Sequence, residues 1–279
     1  MTYSDAFVFP DPGSWKSTRT LLHDITRVLS AVPRAFAPPH PRWSQISFKR
    51  RETGWWLDPF PLPDGSALEI GIRPADHKAV LKTGGRERNA WDLKDGKNPR
   101  MLARLVFSEV ARIGMSGLDP DSFPEDSDRV YDVDRVQGYF KLLDATEAIF
   151  QKRRREMEGG PGPVQLWPHN FDLAFDWFGS RMIEIVKDGE TTIFPAQLNL
   201  GWSPGDGEHP EPYFYSNPWP FDPALKTHPL PDGAAWMDGS WQGTILPLRR
   251  LAGDPRAEER LLAYAEAVFR LAAPSLNAG

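Results

Sequence analysis

The chain contains no cysteine. A disulfide framework, a thiolate zinc site and a thiol nucleophile are all excluded. No apolar run approaches the about 18 residues that a membrane-spanning helix requires. The first residues, M-T-Y-S-D-A-F-V-F-P-D-P, have neither a basic flank nor an apolar core, so they do not read as a signal peptide. There is no basic excess: 33 Lys and Arg face 38 Asp and Glu, for a net charge of -5. A nucleic-acid footprint is therefore not expected. Phosphate-loop and dinucleotide fingerprints are missing. Ser203 sits in W-S-P-G rather than in a strand–elbow–helix setting, so a nucleophilic serine has no support. These absences point to a soluble, cytoplasmic protein with no membrane partner.

Proline, glycine and tryptophan are abundant, at 28, 23 and 11 of 279 residues. The prolines argue against a bundle of long helices and for many turns and short strands. Tryptophan supplies core mass, or the wall of a pocket. Hydrophobic content of 40% with 25% charged residues is ordinary for a protein with a sizeable core.

Along the chain, Thr18 to Val32 predicts a helix with the stripe Leu21, Leu22, Ile25, Val28 and Leu29, stopped by Pro33. His23 lies off that stripe. Short strands follow at 43–50, 54–57, 66–73 and 77–83, the last ended by Gly84–Gly85. Their links are too short for parallel crossovers. Asn98 caps a second helix that opens on Pro99, with Met101, Leu102, Leu105, Val106, Val110 and Ile113 inward. A third helix covers about 132–156. Its terminal run, Lys152 to Arg155, reads as a solvated end that complements the helix dipole. The most patterned strand is 164–177, where Phe171, Leu173, Phe175 and Trp177 alternate with Asp172, Ala174 and Asp176. Asp188–Gly189 marks a hairpin between 182–187 and 191–200. A short strand at 213–217, a Pro-rich loop over 218–235, a last strand at 241–248 and a helix capped by Asp254 complete the chain. The expected class is α+β, with antiparallel sheets and about four main helices. One domain over 1–279 is expected, with sub-halves 15–118 and 130–275. The repeated order of helix, strands and helix suggests an internal duplication.

Trp15, T-R-T-L-L-H (18–23) and Trp55–Trp56 resemble the N-terminal signature of a family catalogued as domain of unknown function five-nine-nine-six. P-V-Q-L-W-P-H-N-F-D-L-A (163–174) is similar to its W-x-x-F-D-L-A strand. G-W-S-P-G-D (201–206) and P-Y-F-Y-S-N-P-W (212–219) are similar to its S-P-G-D…P-Y-x-Y…P-W segment. The resemblance runs from Trp15 to the last helix and implies one domain family, but no activity. His169 and Asn170 fall at positions that vary in the family, and Gly54 replaces a histidine before the Trp pair. Both departures weaken a catalytic role at those positions.

Trp167, Trp202, Tyr213, Tyr215 and Trp219 cluster in these segments. With His23, Trp55 and Trp56 they are the candidate ligand-binding residues, suited to a planar, aromatic or sugar-like small molecule. Asp172, His169 and Glu211 are the candidate acid–base residues. Each has a plainer reading: a hydrogen-bonded histidine at a strand start, a carboxylate holding backbone N–H groups, and aromatics that pack a core. His169, Asp172, Asp206, Glu208 and His209 fit no standard metal spacing, so no metal or cofactor is expected. Three functions remain: small-molecule binding with or without chemistry, a structural or protein-interaction domain, and, weakest, a metal-dependent hydrolase.

Overall fold

The computed structural model describes Phe7, residues 12–125 and residues 129–277. The chain forms two compact units, Pro10–Lys141 with Gln165–Asp172, and Met1–Phe9 with Leu142–Val164 and Leu173–Gly279. Each contains helices and an antiparallel sheet, as the α+β expectation requires.

The unit of Pro10–Lys141 and Gln165–Asp172 begins with α1 (Pro12–Phe36). Leu21, Leu22, Ile25, Val28, Leu29 and Val32 are all buried, so the apolar stripe holds. The helix starts earlier than the stripe and passes Pro33. Pro33 has no N–H to bond back along the helix. It is nevertheless buried and accepts from Ala37 N at 3.0 Å, so the last turn closes.

The sheet of this unit runs β1 (Lys49–Arg51), β2 (Gly54–Trp56), β4 (Ala67–Arg73), β5 (Lys78–Thr83) and β6 (Arg86–Asp92), with β3 (Phe60–Pro61) paired to β4. Gly71 faces Trp56 across the β2–β4 ladder. A Cβ there would lie 2.6 Å from the Trp56 ring and from the Trp55 carbonyl, so only glycine lets both indoles pack. Gly84 and Gly85, at φ 56° and 76°, do not end the sheet. They form a tight turn with positive φ at both positions, and β6 follows. Sequence reading missed β6 because it opens on exposed charges, the usual protection of an edge strand. Residues 43–50 are mostly not a strand; a 3-10 turn at Ser44–Ile46 precedes β1. In α2 (Pro99–Arg112) the Asn98 side chain accepts from Met101 N at 2.8 Å, as a cap should. Leu102, Val106 and Val110 are buried, but Met101 and Leu105 face solvent. β7 (Gln165–Trp167) is held here by Phe48, whose backbone exchanges bonds of 2.9 and 2.8 Å with Leu166.

α3 (Val133–Glu156) and β8 (Asp172–Lys187) carry the chain from one unit to the other. In the second unit the sheet order is β12 (Ala235–Asp238), β13 (Gln242–Pro247), β10 (Tyr213–Ser216), β9 (Glu190–Ser203) and β8, with β11 (Pro218–Trp219) on β9. The region 218–235, expected as loop, thus ends at an edge strand. Leu173, Trp202, Phe214 and Leu246 form one cross-strand row, all buried. Against the core lies α4 (Ala257–Leu276), burying Leu261, Tyr264, Ala265 and Val268. Trp177 meets Phe269 at 5.0 Å, and Tyr264 shares a 2.6 Å hydrogen bond with Thr244 Oγ1. The basic end of α3 is not simply solvated. Arg153 pairs with Glu266 at 2.6 Å, Lys152 with Glu258 at 2.9 Å, and Arg154 donates to the Gly162 carbonyl at 2.7 Å. α4 starts at Ala257 because Asp254 first closes a turn, accepting from Arg256 N at 2.8 Å.

Beyond a register shift after Phe178, β8 and β9 continue as a two-stranded ribbon to Asp188–Gly189. These residues have φ of 51° and 82°, the backbone that an Asp-Gly hairpin turn requires.

Gly71→Ala is expected to destabilise the protein by about 1–3 kcal/mol through overpacking. Gly138→Ala, in α3 with no atom near its added methyl, should stabilise by about 0.5–1 kcal/mol. Urea unfolding midpoints check both.

Candidate functional site

The patterned stretch 164–177 is interrupted. After β7 a turn spans 168–171, closed by Phe171 N donating to the Trp167 carbonyl at 2.8 Å. Phe171 takes φ 58°, a left-handed conformation unusual for a bulky residue. Its ring enters a column of near-parallel aromatics. Trp15 stacks on Tyr139 at 5.4 Å, Tyr139 on Phe171 at 5.0 Å, and Phe171 on His23 at 5.4 Å. Trp15 and His23 are eight residues apart on α1, a rise of about 12 Å, so the column spans that distance along the helix.

His23 closes the column. Its Nε2 lies 2.9 Å from the Pro168 carbonyl and donates to it, which leaves Nδ1 unprotonated in the neutral ring. Burial lowers the His23 pKa, partly opposed by the Pro168 bond. Asp172 is buried beside Phe171. The Tyr139 phenol is pushed well up, first by burial and then by the negative charge of Asp172. Tyr139 therefore stays protonated beside a buried carboxyl group.

His169 reaches the surface, packed edge-on against half-buried Trp167 at 5.6 Å. Partial burial of its ring, and then the charge of Arg34, lower its pKa. In a regular strand His169 and Asp172 would face opposite ways, but the turn closed by Phe171 breaks the strand between them. Trp55 and Trp56 are pillars of the sheet core, 0% and 1% exposed, with Lys82 Nζ 4.2 Å above the Trp56 ring.

The other candidates lie in the second unit, on two faces of its sheet. Trp202 points into the core with Phe214. Tyr213 and Tyr215 take the opposite face by strand alternation. The Tyr215 ring lies across Gly201, where a Cβ would come within 2.1 Å of it. An aromatic strip results. His209 meets Tyr213 at 5.5 Å, Tyr213 meets Tyr215 at 6.1 Å, and Tyr215 meets Trp241 at 6.2 Å. Tyr215, Trp241 and His209 are partly exposed.

Asp206 anchors the strip. It accepts from Tyr213 Oη at 2.7 Å, Glu208 N at 2.8 Å and His209 N at 2.6 Å. Burial raises its pKa, but these donors outweigh it and the net shift is downward. Glu208 accepts from Ser240 Oγ at 2.6 Å. His209 Nε2 is buried and has no hydrogen-bond partner among the described residues. Glu211 pairs with Arg249, and Trp219 packs on Phe194 at 6.5 Å.

Thus Asp172, His169, Trp167 and His23 share one unit, whereas Glu211, Trp202, Tyr213, Tyr215 and Trp219 belong to the other. Sequence reading missed Tyr139, which lies on α3, and Trp241, which opens the last strand run. Among the described residues no group of three or more His, Asp or Glu side chains is placed to hold a metal, and no helix is long and apolar enough to cross a membrane.

The fold and these clusters define an α+β protein with two antiparallel-sheet units, each with its own aromatic assembly. The chain belongs to a family of unknown function (DUF5996), whose model matches residues 11–277. No curated protein and no solved structure matches it.

A lowered His23 pKa means that the unfolded chain binds the proton more readily than the folded one. The stability that His23 contributes is therefore present above its ordinary value of 6.5 and is lost as pH falls through the folded value. Chemical denaturation at pH 7 and pH 5 should show smaller acid destabilisation in His23→Phe, which keeps an aromatic ring in the column but cannot titrate.

Proposed function

We propose that the chain binds a small molecule with a planar or sugar-like ring on the His209–Tyr213–Tyr215–Trp241 strip. One observation carries this reading: the segments 201–206 and 212–215, similar to the family's motifs, supply Tyr213 and Tyr215 of the strip and the groups that hold them. Asp206 of S-P-G-D holds the hydroxyl of Tyr213 of P-Y-x-Y, and Gly201 makes room for Tyr215. Partly exposed rings offer faces for stacking. The buried, unsatisfied His209 Nε2 is costly unless water or a ligand group meets it.

The strip is proposed as a binding surface rather than a catalytic one. Asp206 is engaged by three donors, and Glu208 and Glu211 each have a partner. Acid–base work by Asp172, His169 and Glu211 is the weaker reading, because Glu211 is paired with Arg249.

A second reading, a protein-interaction domain, is favoured by the β8–β9 ribbon. Met182, Ile185, Val186, Ile193 and Phe194 are all exposed along it. By cross-strand register, Met182, Val186 and Ile193 share one face. An exposed apolar patch of this kind marks an interaction surface more often than chance.

A thermal-shift screen with sugars and aromatic metabolites tests the first reading. A ligand present at about 100 times its Kd should add about 2.7 kcal/mol of stability. Tyr215→Ala should abolish that shift, while Asp172→Asn should preserve it. A shift retained in Tyr215→Ala and lost in Asp172→Asn would move the site to the other unit.

A further inference from the structure

In the second unit α4 covers the core face of the sheet. Leu198 and Leu200 of β9 line one small cavity with Ala265 and Phe269 of that helix. Alternation along β9 carries the same face on through Ala196 to Phe194. α4 does not follow it. The helix ends at Leu276 against Gly179 of β8, where a Cβ would collide with the Leu276 carbonyl. Ser180 N and Oγ donate to the side-chain oxygen and the carbonyl of Asn277 at 3.0 and 3.1 Å. Arg181 donates to the Ser275 carbonyl at 3.3 Å. The helix end is thus pinned at the irregularity of β8 that opens the ribbon, and the core face runs out from under it.

On the ribbon Phe194 pairs with Ile183, and Thr192 with Ile185, so these four residues share that face. Phe194 is 43% and Ile185 39% exposed, although Ala196, Leu198 and Leu200 on the same side of β9 are buried. The opposite face sets Glu184 between Met182 and Val186, and covering it would strand a carboxylate. Two strands by themselves are marginal in water, so the apolar face calls for a cover. The two ends of the ribbon differ in charge. Arg181 stands at the base, while at the tip Lys187 is outnumbered by Asp188 and Glu190.

We propose that two copies of this chain pack the Ile183–Ile185–Phe194 face of their ribbons together about a two-fold axis, with the ribbons antiparallel. The proposal rests on the interaction-surface reading of the ribbon and names its partner. Ile183, Ile185 and Phe194 of each copy fill the centre, and Glu184 stays in water. A positive base and a negative tip complement themselves when the ribbon is turned end for end, which favours a second copy as the occupant. Arg181 of each copy then lies by Glu190 of the other, twice by symmetry. Six residue pairs make a ribbon about 20 Å long. A contact of that size is small, so the expected Kd is on the order of 10 μM.

Sedimentation velocity over about 1 to 200 μM tests the proposal and should show a reversible monomer–dimer shift. Ile185→Lys and Phe194→Asp, both at exposed positions, should each weaken the dimer at least about ten-fold. Arg181→Glu should weaken it as well, and adding Glu190→Arg should restore it, because the pair re-forms with its signs exchanged. Glu184→Ala, on the other face, should leave it unchanged. A chain that stays monomeric at the highest concentration, a dimer untouched by Ile185→Lys and Phe194→Asp, or a charge reversal without rescue would overturn the proposal. A different protein bound at the ribbon of a monomeric chain would keep the interaction-surface reading and sink the dimer. Tyr215→Ala should leave the dimer intact, so the strip and the ribbon are read separately.

Discussion

Much of the unit that contains α1 depends on one contact, the insertion of Phe171 between Tyr139 and His23. A left-handed backbone costs a bulky residue about 1–2 kcal/mol. That cost is offset because the turn delivers the ring into a stack running from Trp15 to His23. The same turn offers the Pro168 carbonyl to His23 and sets Asp172 beside Tyr139. Three distant parts of the chain, α1, α3 and the 165–172 segment, are locked by a single left-handed residue. The residues that carry the family resemblance at Trp15, His23, Phe171 and Asp172 are the ones assembled here, which gives that resemblance a physical meaning.

The second unit solves a different problem. Its sheet has one face filled by Trp202, Phe214, Phe175 and the helices, and the other bearing the strip. Glycine governs the second face, since Gly201 is all that lets the Tyr215 ring lie across β9. Asp206 governs the loop, and its ionised form is favoured by the donors that it collects. The polar groups around the strip are mostly spoken for by one another, so the rings are its main free chemistry.

Much of the fold could be read in advance. The stripe of α1, the Asn98 cap, the Asp188–Gly189 turn and the alternation after Asp172 are local patterns with local causes. The errors also have local causes. β6 was hidden by charges that protect an edge, and Gly84–Gly85 was taken as an end when it is a turn. Met101 and Leu105 matched the helical period yet face solvent, because periodicity names a face without naming what covers it. Of the candidate residues, Asp172, His169, Trp167 and His23 belong to one unit and Glu211, Trp202, Tyr213, Tyr215 and Trp219 to the other.

The amino-acid order alone determined the class of fold, the absence of thiol chemistry and the segments that matter, since these follow from composition, short-range periodicity and motif. Only the tertiary structure decided which side chains meet. Tyr139 joins Trp15 across more than a hundred residues, and Trp202 turns away from Tyr215 because neighbouring positions on a strand face opposite ways. Such meetings depend on long-range packing and on single backbone angles, which residue spacing does not encode.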